Sequence, residues 1–191
     1  SESVVQAVEA GARIVIVGGA ITKAADAQAA TEAIQTAIRT RKAVPTDLYR
    51  RTGAEGVREI LHKVSTANIS DGNHRLPGIV GLRPIWPGAR MVGQALTVRT
   101  APGDWAKPVE AIDKAEPGQI IVVDAGGRPP AVWGELATES CVKRGLAGIA
   151  VDGAVRDSPC IVELKFPCFS RCVSPAAGEP KGYGEIGSTI R

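Results

Sequence analysis

Three features of the chain point to an α/β fold. Helical patterns come first, and short apolar runs of strand length with helical patterns between them follow. The 22 Gly and 13 Pro fall mostly between those runs, where they act as turns and not as low-complexity sequence. An apolar content of 44% over 191 residues is enough for a core in one or two domains.

The elements follow in order. Arg13 to Val17 is a continuous apolar run and reads as a short buried strand. Gly18, Gly19 and Ala20 then expose backbone NH groups at its end, which suits either a phosphate site or a plain strand-to-helix turn. Ala24 to Arg39 is alanine-rich, with Ala30, Ala33, Ile34, Ala37 and Ile38 at helical spacing. Val44-Pro45 discourages continuation of that helix, and the basic cluster from Arg39 to Arg51 reads as a solvated linker.

Beyond the linker, Val57, Ile60, Leu61 and Val64 lie on one face of a helix over Gly56 to Ser65, and Asn68 to Gly72 caps and opens a second. His74 has no second ligand nearby and reads as a surface or hydrogen-bonded side chain. Pro87-Gly88 turns into a strand over Met91 to Arg99. A clearer strand, Gln119 to Asp124, is bracketed by Pro117-Gly118 and Gly126-Gly127. Asp124 at its end reads as a turn former, with a place in the same pocket as Glu135 and Asp157 as the alternative.

Charge and composition exclude several function classes. The net charge is +3, with 23 basic and 20 acidic residues interspersed, so there is no broad footprint for nucleic acid. Aromatic residues are 4% of the chain, too few for a single-strand stacking platform. No run approaches the length of a membrane span, and the expected setting is the cytoplasm. Cys141, Cys160, Cys168 and Cys172 form no Cys-x-x-Cys, and only His62 and His74 are available beside them, so buried free thiols are expected in place of a zinc site.

The richest stretch runs from Trp133 to Asp157, WGELATESCVKRGLAGIAVDGAVRD. Glu135 opens a helical run carrying Leu136, Ala137, Cys141 and Val142, and Gly145 suits its left-handed C-terminal cap. Such a helix is roughly 16 Å long, and the strand Leu146 to Val151 returns roughly 20 Å. The lengths nearly cancel, so the loop from Asp152 to Asp157 is expected beside the start of the helix. There the free NH groups of the first turn favour an anion such as a substrate carboxylate, and Arg156 adds a guanidinium fork. Asp157 offers hard oxygen to a divalent ion of the magnesium type, and Glu135 is placed to move a proton through water. The same residues also suit a solvated turn pair and an ordinary first-turn acid. Trp133 either walls the pocket or packs beneath it.

GELAT, then twenty residues, then DGAVRD followed by FPCFSRCVSP resembles the family of the regulator of ribonuclease activity A and the class II 4-hydroxy-4-methyl-2-oxoglutarate aldolases. The similarity runs from about residue 64 to 191 and includes VSTANISDGNHR, PGARMVGQALTVRT and GQIIVVDAGG. The resemblance implies a layered ββα domain and a lyase acting on pyruvate-derived 2-oxo acids, 4-hydroxy-4-methyl-2-oxoglutarate or oxaloacetate. It makes Asp157 the ligand of Mg2+ or Mn2+, Arg156 the pyruvate and oxyanion contact, the amides around Gly134, Glu135 and Leu136 the carboxylate cradle, and Glu135 the acid. Glu135 stands where Asp is usual, and Cys160 where a variant of the signature has an acid, three positions after Asp157. The resemblance also implies a homotrimer with its pocket between subunits, and, as the alternative function, a non-catalytic regulator that docks on a ribonuclease.

A second resemblance covers about residues 1–42, where GARIVIVGGAITKAADAQAATEAIQTAIRT is similar to the last strand and helix of 3-hexulose-6-phosphate synthase, a (β/α)8 barrel. It implies a remnant of that barrel as in a two-enzyme fusion, with phosphosugar binding at Gly18, Gly19 and Ala20 as a further alternative. The expected organisation is therefore a remnant over 1–42, a basic linker over 43–55 and an aldolase domain over 56–191. That domain is expected to lack its last strands and to self-associate through the uncovered edge.

Overall fold

The computed structural model describes residues 2–44 and 54–190. The chain divides into two compact units, Ser1–Glu55 and Gly56–Arg191. Most of the stretch read as a linker, residues 45–53, lies outside the described residues.

The first unit is helical: α1 (Glu2–Glu9), α2 (Gly19–Thr22) and α3 (Ala27–Thr40). Asp26 caps α3 by accepting from the Ala29 amide at 2.9 Å, which is why this helix starts three residues later than the alanine pattern implied. Ile34 and Ala37 are its buried residues, and Val4 and Val5 are those of α1. The strand expected over Arg13 to Val17 is not formed. Ile14 and Ile16 are 84% and 94% exposed, and no strand exists among the described residues of this unit to pair with them. A buried parallel strand needs ladder partners on both sides. The phosphate role read for Gly18, Gly19 and Ala20 presupposed that strand, and these residues instead precede and open the single turn of α2.

The second unit begins within α4 (Ala54–Lys63) and continues with α5 (Thr66–Gly72). Ser65, and not Asn68, caps α5, accepting from the Asn68 amide at 3.1 Å. The apolar stripe of α4 is only part covered: Val57 and Ile60 remain exposed. The rest alternates strand and helix through β1 (Arg83–Pro84), β2 (Ala95–Thr100), α6 (Ala106–Lys114), β3 (Ile120–Asp124), β4 (Ala131–Trp133), α7 (Glu135–Lys143), β5 (Gly148–Val155), α8 (Ser158–Glu163), β6 (Cys168–Val173) and β7 (Gly184–Ile186).

One mixed sheet in the order β1-β6-β5-β3-β2-β7 organises this unit, with β4 pairing the far half of β5. The strands β2, β3, β5 and β6 are mutually parallel where they pair, and the edges β1 and β7 run antiparallel. All of β5 except half-buried Asp152 is buried, which explains its near-continuous apolar sequence. Val98, Ile121, Val123, Ile149 and Val151 from the sheet share one core with Ile112 of α6, Cys141 of α7 and Ile161 of α8. Among the described residues, no helix is long and apolar enough to cross a membrane.

β5 is also longer than expected. Its pairing continues through Asp152, Gly153, Ala154 and Val155, residues read from sequence as a returning loop. A register shift between Val151 and Ala154 interrupts its pairing with β6 before the strand resumes.

Candidate functional site

The start of α7 is brought to Arg156 and Asp157 by β4, a strand of three residues. Trp133 pairs with Val155 in parallel register, and the Arg156 amide donates to the Trp133 carbonyl at 2.9 Å. Gly134 and Arg156 therefore leave adjacent strands at the same level. The proximity inferred from equal helix and strand lengths is correct, but the cause is this register.

Asp157 then adopts a left-handed backbone, φ 54° and ψ 35°, at the N-cap of α8. This conformation is tolerated by Asp better than by most residues. Its Oδ2 accepts from the Glu135 amide at 3.2 Å and lies 3.2 Å from Arg156 Nε. Gly134 makes that approach possible: a Cβ there would stand 2.6 Å from Asp157 Oδ2 and 3.1 Å from Arg156 Cγ. Below the site, Trp133 Nε1 donates to Thr138 Oγ1 at 3.0 Å, and Thr138 Oγ1 donates to the Gly134 carbonyl at 2.8 Å. Thr138 is fully buried, so this chain fixes the helix start from within.

Glu135, Leu136, Arg156 and Asp157 line one cavity of about 500 Å3 together with Gly134, Trp105 and Ile112. All five residues assigned to the site from sequence thus meet in one place. The carboxylate cradle differs in one respect. The Glu135 amide is already engaged by Asp157, so the amides still free of helix bonds in the first turn are those of Leu136 and Ala137. Trp133 both packs beneath the site and contributes to the cavity wall. Cys160 borders the site: burial, the hydrogen bond to Glu135 and the negative charges of Glu135, Glu163 and Asp157 all push its thiol up, keeping a neutral group where the family variant has an acid.

Other candidates fall elsewhere. Asp124 accepts from the Gly126 amide at 3.2 Å as a turn former, and lines a separate cavity with Asp152 and Arg171. His74 sits at φ 56° and is exposed. Of the four free cysteines, Cys141 and Cys168 are buried and their thiols are pushed up to about 12 by burial, whereas Cys160 and Cys172 are half-buried, contrary to expectation.

Sequence reading missed Asp104, which is 2% exposed. It accepts from the amides of Ala106, Lys181 and Tyr183 at 2.8–3.0 Å and so ties the start of α6 to the returning segment 181–183. Its signal was faint, one Asp after a Pro-Gly turn. Thr138 and the short β4 were missed as well, because a three-residue strand carries no periodicity to read.

Both contacts of Asp157 fall on Oδ2, leaving Oδ1 without a partner among the described residues. No group of three or more His, Cys, Asp or Glu could hold a metal among those residues. Asp157 Oδ1 could serve as one of the one or two carboxylate oxygens that a magnesium-type ion takes alongside its waters.

Comparison with known proteins agrees with this architecture. The family model RraA-like (Aldolase/RraA) matches residues 66–191. An uncharacterized protein of Methanocaldococcus jannaschii is 35% identical over 134 residues, covering 69% of this chain and 64% of its own. A Halalkalibacterium halodurans protein named "putative 4-hydroxy-4-methyl-2-oxoglutarate aldolase" is 35% identical over 129 residues, covering 66% of this chain and 61% of its own. The chain thus spans less than two thirds of the length of these relatives. The structure of the RNA-processing inhibitor RraA from Thermus thermophilis superposes with a TM-score of 0.58 at 27% identity, covering 64% of this chain and 76% of that one. With the family model matching residues 66–191, well over half of its length, the chain belongs to the RraA-like family, Aldolase/RraA.

Proposed function

We propose that the second unit is a divalent-metal-dependent lyase that releases pyruvate from 2-oxo acids, with 4-hydroxy-4-methyl-2-oxoglutarate and oxaloacetate as the substrates to try first. The observation that carries this reading is the position of Asp157, held by the Glu135 amide and Arg156 at 3.2 Å each with one carboxylate oxygen left over, on the wall of a cavity. The relative named as an aldolase supports the reaction class.

Each residue has a task in carbon-carbon cleavage. The free amides of Leu136 and Ala137, at the positive end of α7, bind the substrate carboxylate. The terminal nitrogens of Arg156 face the charge that develops on the 2-oxo oxygen as the bond breaks. Asp157 Oδ1, with waters, would hold Mg2+ or Mn2+, whose charge when bound polarises the same carbonyl. Glu135 holds or delivers a proton at its carboxylate oxygen. The test is pyruvate release by the purified chain with magnesium. Release abolished by chelator supports the reading, and release unaffected by chelator removes the metal from it.

A second reading has its own observation, the likeness to the Thermus RNA-processing inhibitor. Under it, the chain docks on a ribonuclease and the cavity is idle. Capture of ribonuclease E with equal affinity with and without chelator, together with no pyruvate release, would establish this reading in place of the lyase. Self-association as a trimer belongs to the first reading, and light scattering on the purified chain tests it.

A further inference from the structure

Resting on the lyase reading for its chemical consequence, we propose that Thr138 is a positioning residue of this site. Its buried hydroxyl sets the tilt of the Gly134–Glu135 peptide and, through that peptide, which oxygen of Asp157 is left for a ligand.

The hydroxyl has one direction open to it. An indole N–H can only donate, so Trp133 Nε1, 3.0 Å away, occupies an acceptor site on Thr138 Oγ1 and the hydroxyl proton points at the Gly134 carbonyl, 2.8 Å away. The Thr138 amide donates to the same carbonyl at 3.1 Å. The Gly134 carbonyl and the Glu135 amide belong to one planar peptide and face opposite ways. Two donors on the carbonyl therefore turn the amide out of the helix start, where it meets Asp157 Oδ2 at 3.2 Å. Oδ2 is occupied as a result, and Oδ1 is left over.

A hydroxyl bonded to the carbonyl four residues back is an ordinary helical contact, and exposed Ser140, on the Leu136 carbonyl at 2.9 Å, is such a case. Thr138 differs in being fully buried, so water does not replace its bonds. It also differs in its neighbour: Trp133 is 3% exposed, and its own carbonyl accepts from the Arg156 amide at 2.9 Å. The residue that orients the hydroxyl thus also holds the strand end that carries Arg156.

Hydrogen exchange of the Glu135 amide, followed by NMR on the metal-free chain, tests the link apart from turnover. First-turn amides have no partner within their helix, so slow exchange at Glu135 reports its bond to Asp157. Thr138→Val should speed that exchange by about five- to ten-fold, the equivalent of one ordinary hydrogen bond, and Thr138→Ser should keep it slow. Thr138→Val also strands the Trp133 indole, which lowers stability for a separate reason. In a Trp133→Phe background the same change strands no donor, so it should leave the urea midpoint where Trp133→Phe alone puts it and still speed the exchange. Pyruvate release should fall at least about ten-fold in Thr138→Val and recover in Thr138→Ser. Equal exchange rates at Glu135 in the unaltered chain and Thr138→Val, or fast exchange in Thr138→Ser as well, would overturn the proposal. The expected exchange pattern without any pyruvate release from the unaltered chain would instead overturn the lyase reading and leave the positioning role standing.

Discussion

The second unit holds two arginine-aspartate pairs that differ in how the fold uses them. Arg171 on β6 reaches across to Asp152 on β5, donating through Nε to Oδ1 and through a terminal nitrogen to the Val80 carbonyl at 3.5 Å. Glycines close around it: a Cβ on Gly81 would stand 2.5 Å from one terminal nitrogen, and one on Gly127 would stand 3.2 Å from Nε. The hydrogen bond to Asp152 raises the guanidinium pKa further. Arg156 and Asp157 are chain neighbours at the end of β5, and they touch through one atom each. Among the described residues, both terminal nitrogens of Arg156 and one oxygen of Asp157 have no partner. Arg171 gives two of its three nitrogens to the fold, whereas Arg156 gives one, so Arg156 keeps more donors for a ligand.

That contrast has measurable consequences. Asp157→Ala removes the free oxygen and should lower pyruvate release on the order of a thousand-fold, with the circular dichroism spectrum unchanged. Gly134→Ala leaves every chemical group in place but drives a methyl into Asp157 Oδ2, and a displacement of this size should lower kcat/KM by roughly a hundred-fold. Unimpaired turnover in that variant would show that the close approach is incidental.

Asp104 supplies a structural carboxylate for reference. Asp104→Ala should destabilise the unit by about 3 kcal/mol, since it strands buried amides, as read from urea unfolding. Burial raises its pKa, but the backbone donors Ala106, Lys181, Tyr183 and Gly182 together outweigh that and hold it below the ordinary carboxylate range. A depressed folded pKa means that the stabilisation is present above the unfolded value and is lost as pH falls through the folded one. The urea midpoint of the unaltered chain should therefore fall on acidification below about pH 4, and the Asp104→Asn variant should show a shallower fall. The smallest effect is expected for Arg171→Met, which should lower the urea midpoint only slightly and leave pyruvate release unchanged. A large loss of turnover there would erase the distinction between the two pairs.

The sequence carried the site further than it carried the fold. GELAT and DGAVRD are compact motifs, so the proximity of Glu135, Arg156 and Asp157 was legible although β5 runs four residues past the strand expected from the apolar run. The end of β5 was hidden because Asp152-Gly153 reads as a turn, whereas pairing with β3, β4 and β6 keeps the strand intact through it. Burial of β3 and β5 followed from their apolar runs. The opposite failure came at Arg13 to Val17, where the same kind of run lacks neighbours and stays exposed. An apolar run records that a strand is possible, and only partners elsewhere in the chain decide whether it forms. Asp104 and Thr138 escaped for a related reason, since their importance lies in long-range or buried hydrogen bonds that leave no local pattern.

The most direct measurement is a crystal of this chain soaked with magnesium and oxalate, a mimic of the pyruvate enolate. An ion bound to Asp157 Oδ1, with oxalate between it, Arg156 and the amides of Leu136 and Ala137, is the expected result. Oxalate and metal elsewhere, or an empty cavity at saturating concentration, would contradict the assignment of this site.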